Sequence, residues 1–79
     1  MKPLSPLPAD PRPGRYRQYK GNDYQVLGLA RHTETEELLV VYQALYGECG
    51  WWVRPHAMFC ESVEHAGQRV PRFAFVSET

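Results

Sequence analysis

Residues 38–59, LLVVYQALYGECGWWVRPHAMF, contain both tryptophans of the chain and its longest apolar run. Arg54 stands directly before Pro55, and a residue that precedes proline is biased toward extended backbone. The β-branched and aromatic residues at 40–42 are typical of a strand. A chain organised around this stretch is expected to fold into a small β-rich domain.

The beginning of this stretch also allows a helix. Thr33 followed by Glu36 fits a capping box, so residues 34–46 could form an amphipathic helix. We favour a strand, because the run is short and rich in β-branched residues. Its alternation predicts one face made of Val40, Tyr42 and Ala44.

The remaining sequence predicts further short strands and turns. Gly28, inside an apolar run, suggests a bulge or a sharp bend. Short strands with tight turns and no long helix imply a strongly bent sheet or barrel of five or six antiparallel strands. The predicted strands cover residues 15–19, 24–31, 39–45, 51–54, 59–64 and 69–76, with one helical turn at 56–58.

The first 14 residues contain five of the seven prolines. Because proline fixes φ and lacks a backbone donor, we expect residues 1–14 to form a flexible, proline-rich segment. Residues 15–79 then form a single domain, since 79 residues leave room for one modest core.

Charge and cysteine content restrict the classes of function. The formal net charge is 0, so no overall field favours nucleic acid or an anionic membrane. Segment 12–31 is nevertheless basic and segment 34–48 acidic, and the two would face each other if they paired as strands. No apolar run approaches the ~20 residues of a membrane span, and two cysteines do not make a disulfide scaffold. We therefore expect a cytoplasmic protein with reduced thiols and no membrane association.

Several separated runs resemble one known family. They are GRYRQYKGNDYQVLGLARHTET, VVYQALYG, WVRPHAMF, the ESV of residues 61–63 and the PRF of residues 71–73. Together they are similar to DUF1653, a family of short bacterial proteins of unknown function, over residues 13–76. The resemblance implies a small SH3-like antiparallel barrel that often stands alone, and it brings no established catalytic residue, ligand or partner. Gln18 replaces a more usual histidine, and Cys49 and Cys60 look particular to this chain.

Cysteines and histidines do not make a convincing metal or catalytic motif. Cys49, His56, Cys60 and His65 are spaced C-x6-H-x3-C-x4-H, whereas structural zinc sites prefer close ligand pairs. A nucleophilic cysteine needs a base within hydrogen-bond reach, and nothing in the spacing provides one. We therefore predict no catalytic residue, no metal and no cofactor, and a protein that is not an enzyme.

Two groups of residues are candidates for binding. The first is a polar rim at Arg31, His32, Thr33 and Glu34, which concentrates hydrogen-bonding groups at a strand end. The alternative for this rim is an ordinary polar loop held by bonds from its side chains to its backbone. The second group consists of Tyr42, Tyr46, Trp51, Trp52 and Arg54, a composition that is typical of recognition hot spots, and its predicted binding residues are Tyr46, Trp52 and Arg54.

Trp51 and Trp52 must point to opposite faces of a strand. Arg54 shares the face of Trp52, and arginine is rarely buried without a partner. We therefore predict that Trp51 belongs to the core and Trp52 to the outer surface. The alternative is a tryptophan covered by the proline-rich segment.

These observations favour a binding module for a protein or peptide, with a surface that joins both candidate groups. The alternatives are a nucleic-acid-binding domain that uses segment 12–31 and, with less support, a small-ligand or enzymatic accessory domain. The oligomeric state is not readable from the sequence. The predicted binding residues are Arg31, His32, Thr33, Glu34, Tyr46, Trp52 and Arg54.

Overall fold

Short antiparallel strands dominate the chain, of which the computed structural model describes residues 6–79. The described part contains seven strands and one four-residue helix. This confirms the β-rich fold with a single helical turn. The elements are β1 (Gly14–Gln18), β2 (Asp23–Arg31), β3 (Leu38–Ala44), β4 (Trp51–Pro55), α1 (His56–Phe59), β5 (Ser62–His65), β6 (Gln68–Pro71) and β7 (Phe73–Ser77).

The strands form two sheets. Five of them lie in the order β4-β3-β2-β1-β7, and β5 and β6 form a separate hairpin. The predicted strand at residues 69–76 is divided at Arg72, whose carbonyl accepts a hydrogen bond from the Tyr19 amide and whose amide donates to the Glu61 carbonyl. Arg72 therefore marks the point where the chain leaves the hairpin and joins the main sheet.

Strand β3 follows its sequence pattern. Val40, Tyr42 and Ala44 share one face, as the alternation predicts, and the structure shows that this face is the buried one. The helical alternative for residues 34–46 is wrong. The pairing of β2 with β3 shifts register between Val26 and Gly28, which confirms the irregularity predicted near Gly28. An irregularity of this kind bends a strand and increases its twist, so it helps to curve the sheet.

An aromatic cluster fills the concave face of the main sheet. Phe59 of α1 stacks on Phe73 of β7, with ring centroids 4.1 Å apart and planes 2° from parallel. The rings of Tyr24 and Tyr42 meet Phe73 obliquely or edge-on at 5.6 and 5.7 Å. Such offset and edge-to-face contacts add to the hydrophobic stabilisation that burial of the rings provides. The buried core consists of Tyr16, Tyr24, Val26, Val40, Tyr42, Ala44, Phe59 and Phe73.

The curved sheet does not close into a barrel. Strands β4 and β7 are its two edges and do not pair with each other, so the predicted closed SH3-like barrel is not confirmed. Side chains span the opening instead of backbone hydrogen bonds. Phe59, which follows β4, stacks on Phe73, and the guanidinium carbon of Arg54 lies 5.7 Å from the same ring.

Part of the proline-rich segment lies against this opening. The Asp10 carbonyl accepts a 2.7 Å hydrogen bond from His56 Nε2, and the Arg12 carbonyl accepts one of 2.9 Å from the Tyr16 hydroxyl. The Arg12 guanidinium lies 3.7 Å above the Phe75 ring. Residues 1–5 of the predicted flexible segment lie outside the described residues. The predicted domain boundary at residue 14 stays a prediction.

Candidate binding surface

Strand β4 exposes three consecutive large apolar side chains. The exposed fractions are 68% for Trp51, 59% for Trp52 and 58% for Val53. Within residues 6–79, β4 pairs with β3 on one side and with no strand on the other. An edge strand with this much exposed apolar area is an unusual feature for a soluble domain and is the main candidate for an interaction surface.

The predicted core position of Trp51 is wrong, because it is the most exposed large hydrophobic residue of the described chain. Trp52 pairs with the buried Tyr42, whereas Trp51 pairs with Gln43. Trp52 therefore lies on the concave side of the sheet, at its margin, and Trp51 lies with Val53 on the convex side. The two tryptophans do face opposite ways, but no strand or helix of residues 6–79 covers the convex face beside Trp51.

Arg54 explains why the face assignment failed. It lies on the concave side next to Val40, its Nε donates a 3.4 Å hydrogen bond to the Tyr42 hydroxyl, and its guanidinium approaches Phe73. A guanidinium can lie against aromatic rings and keep its hydrogen bonds, so its presence does not mark a strand face as the outer one. The rule that arginine avoids the interior therefore pointed to the wrong face.

Tyr46 and Trp52 line a small notch at the β3–β4 turn, about 260 Å³ in volume. The Tyr46 hydroxyl lies 2.6 Å from the Tyr24 hydroxyl, which anchors the exposed ring to the buried one. Burial of Tyr24, and secondarily this hydrogen bond, raises the pKa of Tyr24 to about 12. Tyr46 and Trp52 are thus brought together, as predicted. We call the set Tyr46, Trp51, Trp52, Val53 and Arg54 the β4 surface.

The backbone of β4 has hydrogen-bonding groups that point away from the sheet. The Ala44 amide donates to the Gly50 carbonyl at 2.9 Å, which fixes Ala44 and Gly50 as a hydrogen-bonded pair. In an antiparallel ladder such pairs alternate, so Trp52 and Arg54 direct their backbone groups toward β3. The amide and carbonyl groups of Trp51 and Val53 therefore face the open edge. Pro55 contributes a carbonyl but no donor.

The predicted rim is a loop whose polar side chains bond to its own backbone. His32 Nδ1 accepts hydrogen bonds from the Glu34 and Thr35 amides, at 3.0 and 3.4 Å. The Thr35 hydroxyl accepts one from the Glu37 amide at 3.1 Å, and Arg31 donates to the Glu36 carbonyl. This arrangement fits the alternative of an ordinary polar loop, although His32, Thr33 and Glu34 remain exposed. A role of these residues in binding stays a prediction.

The structure separates the two predicted groups of binding residues. Arg31 pairs with Leu38 at one end of β3, whereas Tyr46 follows Ala44 at the other end. The six steps between Leu38 and Ala44 correspond to about 20 Å along a strand. Arg54 lies between these ends. A single surface that joins the rim to Tyr46 and Trp52 would have to span most of the sheet.

One carboxylate, that of Asp23, forms ion pairs with two of the five basic residues of segment 12–31. Asp23 forms ion pairs of 2.6 Å with Arg15 and 2.7 Å with Arg17 across the β1–β2 hairpin. The hydrogen bonds from Arg17 and Arg15 lower the pKa of Asp23 to about 2. Segments 12–31 and 34–48 do pair, through β2 and β3, but Arg15 and Arg17 lie on β1 and face Asp23 instead of the acidic segment. Residues 19–22 form the short connection between β1 and β2, and the closeness of Arg17 and Asp23 across it is a sequence feature that could have identified Asp23 as a partner of the arginines.

The sulfur and imidazole groups do not form an activated nucleophile. Cys60 Sγ lies 3.7 Å from His56 Nε2, but that nitrogen donates its hydrogen to the Asp10 carbonyl and cannot also accept the thiol proton. Burial raises the pKa of the Cys60 thiol. Cys49 and Cys60 are both free thiols. Within residues 6–79, no three His, Cys, Asp or Glu side chains are grouped so that they could hold a metal ion.

A second concave surface was not predicted from the sequence. A groove of about 570 Å³ lies where the β5–β6 hairpin approaches β1 and β7, and its lining includes Tyr19, His65, Val70 and Phe75. Tyr19 and His65 meet edge-to-face at 5.3 Å. The groove depends on the placement of two sheets relative to each other, for which no local sequence signal exists. None of the predicted binding residues lies in it.

Comparison with known proteins identifies the family. The model of DUF1653, described as a protein of unknown function, matches residues 14–75. The chain belongs to the DUF1653 family. Its fold is similar to the crystal structure of a DUF1653 protein from Bordetella bronchiseptica, with 44% sequence identity, a TM-score of 0.82, and coverage of 89% of this chain and 92% of that chain. No curated protein matches the sequence. Among the described residues, no helix is long and apolar enough to span a membrane.

Proposed function

We propose that this DUF1653 domain is a protein-binding module that receives an extended polypeptide segment along β4. The observation that carries this proposal is the exposure of three consecutive apolar side chains on a strand whose outer edge is open. An extended segment can add to such an edge through backbone hydrogen bonds, and the side chains on both faces then provide specificity.

The β4 surface offers both kinds of contact. The outward amide and carbonyl groups of Trp51 and Val53 would pair with the added strand. Trp51 and Val53 would contact its side chains on the convex face, and Trp52 with Tyr46 would contact those on the concave face. Tryptophan and tyrosine dominate binding energy at many interfaces because they bury a large area at a small entropic cost.

The other predicted classes of partner have less support. Arg15 and Arg17 are engaged by Asp23, so the basic segment offers fewer charges to phosphates than its composition suggests. Nucleic-acid binding depends strongly on such charges and on the counterions that they release.

The free thiols of Cys49 and Cys60 are compatible with the proposed location in the cytoplasm.

An array of extended peptides, probed with the purified domain, tests the proposal. Val53→Pro removes an outward donor and leaves the bonds to β3 in place, whereas Val53→Thr keeps the donor and the β-branched shape. We expect the wild type and Val53→Thr to bind a common subset of peptides, and Val53→Pro to lose at least about tenfold in affinity. Circular dichroism checks that each variant is folded.

Two results would contradict the proposal. In the first, Val53→Pro binds the same peptides as the wild type with equal affinity. In the second, the array shows no binding, and mixed-sequence oligonucleotides bind with an affinity that falls steeply as salt is added, which would favour the nucleic-acid alternative.

A further inference from the structure

We infer that the strand received by β4 is β4 of a second copy of this chain, which produces a two-fold symmetric dimer centred on Trp52. This inference rests on the proposed function, because it names the partner of the same open edge. It follows from the hydrogen-bonding pattern of β4, from the symmetry of its exposed side chains and from two charges beside it.

The hydrogen-bonding pattern selects the register. Outward-facing residues must pair with outward-facing residues, so the two-fold axis can pass through residue 51, 52, 53 or 54. An axis at residue 54 would pair Val53 only with Pro55, which has no amide donor. A centre at Trp52 pairs Trp51 with Val53 of the partner copy twice and gives four hydrogen bonds. A centre at Val53 would direct the Pro55 ring at the partner strand, and Pro55 has no amide donor. A centre at Trp51 would require Cys49 to continue the strand, but Cys49 has a left-handed φ of 57°.

The exposed side chains are self-complementary in this register. On the convex face, Trp51 of each copy would cover Val53 of the other, so the 68% and 58% exposed fractions of these residues would fall together. On the concave face, Trp52 would lie directly opposite Trp52 of the partner copy. Directly opposite residues without mutual hydrogen bonds are the closest pairs in an antiparallel sheet, and aromatic pairs are favourable there.

Charge complementarity supports a second copy as the occupant. In the same register Arg54 lies opposite Gly50 of the partner copy, two residues from its Glu48. No ion pair within residues 6–79 involves Arg54 or Glu48. The dimer would therefore bring together two symmetric Arg54–Glu48 pairs. The formal net charge of 0 adds no long-range repulsion between copies.

The size of the contact predicts a weak dimer. A tryptophan can bury at most about 250 Å², so three exposed side chains and a short backbone pairing stay below the roughly 800 Å² that each partner of a standard interface buries. Association is thus expected in the micromolar to millimolar range rather than at nanomolar concentrations.

Sedimentation equilibrium of the full chain, from about 1 µM to about 1 mM, measures this association. We expect a concentration-dependent monomer–dimer equilibrium. Val53→Pro should weaken it at least about tenfold, while Val53→Thr should stay within about threefold of the wild type. A wild type that is monomeric over the whole range, or a Val53→Pro variant that dimerises as strongly, would overturn the inference.

Disulfide capture tests the register itself. In the Cys49→Ser, Cys60→Ser background, W52C places one thiol directly opposite its own copy, at about 4.5 Å between Cα atoms. W51C places the two thiols diagonally, at about 8 Å, beyond the reach of a disulfide. Mild oxidation should yield at least about tenfold more covalent dimer from W52C than from W51C. Equal yields, or a higher yield from W51C, would overturn the pairing centred on Trp52.

The outcomes separate the two proposals. A monomeric chain that still binds extended peptides, with loss of binding in Val53→Pro, would overturn the dimer and leave the binding module standing. A monomeric chain that binds no peptide would overturn both. Peptides that dissociate the dimer would show that both partners use the same edge and would support both proposals.

Discussion

The aromatic core and the β4 surface are built from the same kinds of side chain, yet they meet solvent very differently. Phe59 is only 2% exposed and is stacked against Phe73, whereas Trp51, the larger ring, is 68% exposed. The core lies on the concave face of the sheet, where α1 and several strands converge. In the part of the chain that the structure describes, no second layer covers the convex face beside Trp51. Position relative to a covering layer, rather than hydrophobicity, decides which aromatic residue becomes core.

The largest expected effect comes from exchanging an aromatic residue for alanine in each region. Phe59→Ala removes a fully packed ring and should lower the free energy of unfolding by about 3–5 kcal/mol, which is enough to unfold so small a domain. Trp51→Ala removes an exposed ring and should change it by less than about 0.5 kcal/mol. Urea denaturation of both variants, followed by circular dichroism, measures the difference.

The contrast between a buried core and an exposed β4 surface would be contradicted if Trp51→Ala were as destabilising as Phe59→Ala. Such a result would mean that some part of the chain covers the convex face in solution. Because self-association would stabilise the wild type at high concentration, the denaturation should be carried out at about 1 µM protein, the lower end of the expected range of dissociation constants, and repeated at a higher concentration.

The strands and their alternation could be predicted because they depend on local information. Val40, Tyr42 and Ala44 alternate with less buried residues over one short strand, and Gly28 marks the irregularity in its neighbour. These signals belong to single strands and need no knowledge of their neighbours. The exposure of β4 at the sheet edge could not be predicted in this way. It depends on which strands pair and on whether another part of the chain covers the strand.

The error at Trp51 shows where such local reasoning stops. Alternation correctly separated Trp51 from Trp52, but it could not say which side of the sheet would be filled. The prediction that Trp51 is buried depended on the assumption that Arg54 marks the outer face. In the structure, Arg54 lies on the face of the aromatic core, where it contacts Tyr42 and Phe73. The grouping of Tyr46 with Trp52 could be predicted because one short turn connects them, whereas the rim at residues 31–34 lies at the far end of β3.

A smaller effect is expected where the two regions meet, at Tyr24. The pKa of Tyr24 is raised to about 12, first by burial and then by its bond to Tyr46. The folded state therefore holds this proton more tightly than the unfolded state, whose tyrosines titrate near 10. Stability from this group is complete below pH about 10 and is lost as the pH rises toward about 12. Urea denaturation between pH 7 and 12 should show this decline.

Two variants sharpen the assignment at Tyr24. Tyr24→Phe should lower stability at pH 7 by about 0.5–1.5 kcal/mol and reduce the alkaline decline. Tyr46→Phe removes the same hydrogen bond but leaves Tyr24 buried, so most of the decline should remain. If Tyr46→Phe abolished the decline as completely as Tyr24→Phe, the exposed partner rather than burial would control the titration.

The smallest effect is expected at Asp23, at the start of β2, which is separated from β4 by one strand. Here the ends of β1 and β2 are held by ion pairs to Arg15 and Arg17 rather than by apolar contacts. The pKa of Asp23 falls from 3.8 to about 2 in the folded state, so its stabilisation is present above pH about 4 and is lost as the pH falls toward 2. Asp23→Asn should flatten this acid response, as measured by circular dichroism between pH 2 and 6.

The control for Asp23 is Glu48→Gln, which removes a carboxylate that forms no ion pair within the described residues and should leave the acid response unchanged at low protein concentration. Added salt should weaken the Asp23 effect, because the pairs are exposed and therefore screened. An acid response that persists in Asp23→Asn would assign it to another carboxylate, such as Glu61 beside Arg72.

The contacts of Asp10 and Arg12 have a practical consequence for anyone who isolates this domain. The family match begins at residue 14, but His56 is hydrogen-bonded to the Asp10 carbonyl and Phe75 lies beneath Arg12. A protein shortened to the family limits would lose two ties that bridge the open side of the sheet, one at α1 and one at β7. Fragments intended for binding studies should therefore begin before Asp10, and any affinity tag should be attached ahead of that residue.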